Sequence, residues 1–359
     1  MGYMTALKTA ILVFPLIALF FTTFYILHQY HKYGSVNRLR TLIIYSFILY
    51  LICAYFLVIL PLPNREEVTT SAFEMMRLVP FSFISDIARE SSFVLSDPHT
   101  YLKALTEPCV YTVLLNIVMT IPFGMYLRYY FECNLKKTVF FTFLLSLFFE
   151  VTQLTGLYFI YPGPYRLFDV DDLIMNTLGG LIGYCLMSLP SRLLPSRQKI
   201  DADSFRAGMH VSGLRRLTIF LFDIFLYGVM SLFFRKTSFY KVIFGIYFVA
   251  IPLLTNGRTM GMLFLNVRLS MSKNVPLTLI ARTLLIYFYY FEMPLLILRF
   301  ASISKNSFTW PLFEILAVIF TIVFYTVNFV RLLKNDDFFY DRILGVTYRS
   351  TVNLPNEQK

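Results

Sequence analysis

The 359 residues are 57% hydrophobic and carry a formal net charge of +11. A soluble globular chain has an apolar share of about 45–50% even with glycine counted, so this composition excludes that class and indicates a multi-pass membrane protein. The positive balance belongs to basic loops on one membrane face and gives no argument for nucleic acid.

The first apolar run, Ala10–Leu27, has the length of a bilayer core. Only Lys8 provides a charge before it and no small-residue cleavage site follows, so it reads as a retained helix. A basic loop with Lys32, Arg38 and Arg40 leads to a second run, Thr41–Leu60, which stops at Pro61-Leu-Pro63. The polar segment Asn64–Glu107 encloses an apolar patch, Leu78–Ile84. That patch is too short to span and is expected to lie at the interface or to re-enter. Three further runs are expected as spans: Cys109–Leu127, Val139–Tyr158 and Val170–Leu189.

The segment Pro190–Arg216 is polar and basic, and this shift in composition marks a domain boundary. Beyond it lie Leu217–Phe234, Val242–Leu254, Thr283–Leu298 and Pro311–Val330. The expected fold is all-α and polytopic, with eight to nine transmembrane helices in two modules. Residues 1–37 form an extra helix and basic loop, 38–190 a first membrane domain and 191–210 a basic cytoplasmic linker. Residues 211–350 form a second membrane domain and 351–359 a polar tail. Most of the 32 Lys and Arg residues fall on one side if the N-terminus is outside and the C-terminus is cytoplasmic. The loop Arg235–Lys241 departs from that rule.

Cysteines 53, 109, 133 and 185 form no CxxC pair, and the four histidines are scattered. No disulfide framework, metal site or cofactor motif is legible.

Polar groups stand out where a lipid-facing helix would have none. Glu150 and Gln153 sit three apart, on one helix face. A Gly/Pro loop with Arg166 follows, and then Asp169, Asp171 and Asp172 open the next apolar run. On that run Asp172, Asn176, Gly179, Gly180 and Gly183 share one stripe. The geometry predicts that Asn116, Glu150, Gln153, Asp172 and Asn176 converge on an outward-open polar cavity, with Arg166 and Asp169 at its mouth. Carboxylates inside a hydrocarbon layer are costly and are functional candidates. The plainer reading is that these groups satisfy one another and fasten helices together.

These residues resemble the VanZ-like family in order and spacing, across about residues 40–190. The resemblance rests on Asn116, Pro122-Phe-Gly124, Glu150-x-x-Gln153, Arg166-x-x-Asp169-x-x-Asp172, and Asn176-Thr-Leu-Gly179-Gly180 with Gly183. Val79-Pro80-Phe81 adds to it. The resemblance implies an integral membrane protein of the plasma membrane, linked to low-level resistance to the glycopeptide teicoplanin. It supplies no reaction.

The second half resembles the RDD family. Arg216, Asp223 and Asp341 match the residues that name it, together with Gly257-Arg-Thr-Met-Gly261 and Asn266-Val-Arg268. Met262 replaces the lysine that often ends the family's loop motif. The resemblance implies ion transport. Read without it, Asp223 is expected to pair with Arg216, Arg258 or Arg282 as a helix lock. Glu292 and Glu314 are interfacial residues or part of an ion path.

The leading expectation is therefore a non-enzymatic bacterial membrane protein whose acidic cavity binds a membrane lipid, a lipid-linked envelope molecule or a glycopeptide or lipopeptide antibiotic. In that reading Glu150 and Asp172 are anionic acceptors, Asn116, Gln153 and Asn176 supply hydrogen bonds, and Arg166 contacts a carboxylate or phosphate. Transport of ions or lipids by the second module is the alternative. An intramembrane enzyme acting on a lipid-linked wall precursor, with Glu150 and Asp172 as acid and base, comes third, because no nucleophile or cofactor motif accompanies them.

Overall fold

The computed structural model describes residues 2–68, 74–233, 239–271, 274–303 and 310–352. It is a multi-pass, predominantly helical protein. Six described helices are long and apolar enough to cross a membrane, or seven if a pair bent by 41° counts as one span. Five are continuous: α1 (Gly2–Tyr33), α2 (Arg38–Ile59), α5 (Pro108–Tyr129), α6 (Leu135–Leu154) and α15 (Trp310–Leu333). The sixth runs from Val275 to Phe300. It joins α13 (Val275–Tyr287) to α14 (Met293–Ile303) through a π-helical turn at Phe288–Glu292. The bent pair consists of Val170–Leu186, here α7, and the segment Pro190–Gly208. Most large apolar side chains of α1 and α15 are exposed, as lipid-facing surface requires.

The chain divides into two compact units, Met1–Phe21 with Arg38–Ile200, and Thr22–Asn37 with Asp201–Lys359. In the first unit, two short helices, α3 (Ser82–Glu90) and α4 (His99–Ala104), lie between α2 and α5. The apolar patch expected to lie at the interface or to re-enter leads into α3, whose residues are all at least partly exposed. A two-residue parallel ladder pairs β1 (Met76–Arg77) with β2 (Phe168–Asp169), Arg77 opposite Asp169. The fourth span ends at Leu154 and not at Tyr158, because Gly156, Leu157 and Tyr158 all take positive φ. Helix α6 starts cleanly, since Asn134 accepts a hydrogen bond from the Lys137 amide at 2.9 Å.

Helices α5 and α7 cross closely because glycine lines the contact. A Cβ on Gly124 would overlap the Gly180 carbonyl, and one on Gly179 or Gly183 would overlap Ile117 or Ile121. Thr120 adds a cross-helix bond from its hydroxyl to the Asn176 carbonyl at 2.7 Å. The small-residue stripe read from the sequence is thus the seam between these two helices.

The linker contains α8 (Arg197–Gly208), and in the second unit α9 (Gly213–Leu232) follows. Helix α9 is long enough to span, but Arg215, Arg216 and Asp223 are buried along it. Next come α10 (Phe239–Gly245), a π-helical turn at Ile246–Ala250, α11 (Ile251–Leu254) and α12 (Met260–Phe264). The strands β3 (Val267–Met271) and β4 (Val346–Ser350) form an antiparallel ladder, with α16 (Phe339–Leu344) just before β4. The all-helical expectation lacked these strands. Along β3, Val267 and Leu269 are buried while Arg268 is exposed, the period of two that marks a half-buried strand. Both join Ile219, Met262, Leu265, Leu279 and Val346 in the core of this unit. The expected break in the charge rule at Arg235–Lys241 and the polar tail fall partly outside the described residues, which omit 234–238 and 353–359.

Candidate functional site

One face of α6 carries Thr138, Thr142, Ser146, Glu150 and Gln153, at intervals of four, four, four and three. All five are buried. Thr142 faces Gly180 on α7, where no side chain larger than hydrogen fits. One turn on, Ser146 donates to the Asp172 carbonyl at 3.3 Å and accepts from the Asn176 amide at 2.9 Å. A further turn on, Glu150 Oε2 accepts the Asp169 backbone N–H at 3.1 Å. From α5, Asn116 Nδ2 donates to Asp172 Oδ1 at 2.5 Å. Asn116, Asp172 and Asn176 are therefore linked across α5, α6 and α7 with Ser146 as the bridge, and Glu150, one turn beyond Ser146 on α6, bonds to the Asp169 backbone at the start of α7.

Gln153 and Arg166 turn elsewhere. Gln153 Nε2 donates to the Val58 carbonyl at 3.0 Å, and Arg166 donates to the Val58 and Leu60 carbonyls, each at 2.8 Å. A helix leaves its last carbonyls without intrahelical partners, and these two side chains satisfy the end of α2.

The four carboxylates have different partners. Asp169 pairs with Arg77, which also reaches Asp86 at 2.5 Å. The Asp169 carboxylate in particular holds the Arg77 guanidinium above its usual pKa. Asp171 accepts from the Phe81 amide at 2.5 Å, the Phe83 amide at 2.9 Å and the Ser82 hydroxyl at 2.8 Å, so it caps α3. Glu150 and Asp172 form no ion pair with any described residue. Glu150 is 3% exposed and Asp172 is half-buried. Asn176 Oδ1 is buried with no hydrogen-bond partner among the described residues.

Sequence reasoning passed over Arg77, Asp86, Ser146 and the role of Asp171. The hydroxyl stripe of α6 was legible as a helical period leading up to Glu150. Arg77 had no such signal, because its partner Asp169 lies far along the chain.

Residues 47–191 match the family model described as VanZ/LLP1. They form a VanZ-like domain. No curated protein and no solved structure matches the chain. The VanZ-like domain contains the whole polar cluster, from Val58 through Asp86 to Asn176. The RDD resemblance of residues 211–350 rests on their sequence alone.

In that second region the three motif residues take separate partners. Arg216 donates to the Asp336 carbonyl at 3.1 Å and stands 3.9 Å from Asp337. Asp341 takes Arg282 Nε at 2.6 Å. Asp223 is not locked by arginine as expected. It accepts from Tyr247 Oη at 2.7 Å, Thr259 Oγ1 at 2.6 Å and the Gly261 amide at 2.7 Å. Gly261 permits that approach, since a Cβ there would stand 2.8 Å from Asp223 Oδ1.

Proposed function

We propose that the VanZ-like domain binds an envelope amphiphile at the outer membrane face, through a cationic or hydrogen-bond-donating head, and thereby lowers the action of glycopeptide antibiotics. The single observation that carries this reading is the contrast among the acids. Asp169 and Asp171 have arginine or helix-end partners, whereas Glu150 and Asp172, on neighbouring helices, are left with neutral donors. Unneutralised acids within a membrane are costly, and a cationic guest offsets that cost. The outward orientation is taken from the distribution of basic loops.

Within this reading Glu150 and Asp172 are the acceptors, and Asn116 orients the Asp172 carboxylate. Asn176 offers its Oδ1, which has no hydrogen-bond partner among the described residues. Gln153 and Arg166 hold the end of α2, and Asp169 with Arg77 holds the segment leading into α7. The experiment is teicoplanin susceptibility of a sensitive Gram-positive host carrying the wild-type protein or Glu150→Gln, at matched membrane levels. Protection by the wild type and its loss in the variant is the expected result. Full protection by Glu150→Gln removes the site from the account.

A further inference from the structure

The second unit contains a cavity of about 450 Å³ among α9, α10, α13 and α15. That volume lies within the range of about 300–1,000 Å³ typical of small-molecule sites. Its wall is mainly apolar with a few polar groups set into it. Along α9 the lining residues include Arg216, Phe220, Asp223 and Ile224. Phe244 and Phe248 from around the first π-helical turn, and Leu279 from α13, continue the apolar part.

Arg216 in this lining is incompletely satisfied. It is 7% exposed, donates to the Asp336 carbonyl and lies over the rings of Phe338 and Tyr348, but its Nε is buried without a hydrogen-bond partner among the described residues. Its nearest carboxylate, Asp337, is 3.9 Å away and 58% exposed, a distance and exposure that leave little neutralisation. The other charged groups around the cavity are occupied. Arg282 is bonded to Asp341, and Asp223 holds three donors of its own. A buried cation with an idle N–H, in the wall of a mainly apolar chamber, calls for an anionic acceptor joined to a hydrocarbon body.

We infer that this cavity is a binding site for a single-chain anionic amphiphile, its carboxylate or phosphate head on Arg216 and its chain along Phe220, Phe244, Phe248 and Leu279. The volume limits the guest to about one chain. The site is separate from the acidic cluster of the VanZ-like domain and calls for a head of opposite charge.

The test uses the purified full-length protein and three probes with the same chain: palmitate, 1-palmitoyl-lysophosphatidate and monopalmitoylglycerol. Both or one of the anionic probes should bind about tenfold tighter than the neutral one, and their ranking distinguishes a carboxylate head from a phosphate head. Arg216→Gln should bring the anionic probes down to the neutral level, and Leu279→Trp should weaken all three. A palmitate with a photoreactive diazirine near its chain end, applied to the wild-type protein, should label residues of α9, α10, α13 or the π-helical turn at Ile246–Ala250. This last arm needs no variant to fold. Equal binding of all three probes, an anionic preference that survives Arg216→Gln, or labelling confined to other segments would overturn the assignment.

Discussion

Asn116 on α5 donates its side-chain amide to the Asp172 carboxylate on α7 at 2.5 Å. This bond spans the glycine-lined crossing of α5 and α7 and touches an acid that has no counter-cation among the described residues. Asn116→Leu removes the donor and leaves the carboxylate with less support. A lost hydrogen bond to a charged group costs about 1–3 kcal/mol. The variant should therefore unfold at a lower temperature than the wild type in detergent, and Asn116→Gln should recover less than the full loss, because the added methylene displaces the amide.

The α5–α7 seam predicts a sharper effect from glycine. Gly183→Ala places a methyl on the Ile121 backbone, and neither backbone can move without parting the helices. Overpacking of this kind costs about 1–3 kcal/mol or more. Gly228→Ala, with nothing within 4 Å of the added carbon, is the control. Limited proteolysis of the two variants should show Gly183→Ala cut faster and Gly228→Ala unchanged.

Arg77 ties β1 to Asp169 and to Asp86 in α3, while Asp171 caps the same helix. Arg77→Gln should free residues 78–90 without unfolding the spans. Hydrogen exchange reads this directly: the amides of α3 should exchange faster, and those of α6 and α7 should keep their protection.

Much of this was legible in the sequence, and the exceptions have physical causes. The polar residues of α6 and α7 announced themselves because a lipid-facing helix has no use for them, and the glycine stripe kept its helical period. Arg166 is expected as an anion contact because a lone arginine in a loop gives no sign of its acceptors, which are the Val58 and Leu60 carbonyls at the end of α2, more than a hundred residues earlier. The β3–β4 ladder was passed over because a five-residue strand with two buried positions is a weak pattern beside long apolar helices. Asp223 was assigned to arginine because charge pairing is the simplest expectation for a buried acid. Two hydroxyls and a glycine amide do the same work, and none of them stands out in a sequence.

A pH effect is expected at the loop before α5. Glu107 accepts the Ser92 amide at 2.8 Å, and Ser92 holds its carboxyl below the usual value. A depressed carboxyl contributes stability that is present above its ordinary pKa and is lost as the pH falls through the depressed value. Protection of the Ser92 amide should therefore decline in acid, and Glu107→Gln should abolish that decline.

The central claim is that Glu150 and Asp172 await a cationic guest, and equilibrium stabilisation tests it most directly. The reconstituted protein is heated with teicoplanin, with lysyl-phosphatidylglycerol or with phosphatidylglycerol, and the unfolding midpoint is followed. A ligand that binds only the folded state raises that midpoint. At least one ammonium-bearing compound should stabilise the wild type more than phosphatidylglycerol does, and the double variant Glu150→Gln, Asp172→Asn should lose the difference. Equal shifts for all three compounds, or the same shifts in the double variant, would contradict the account.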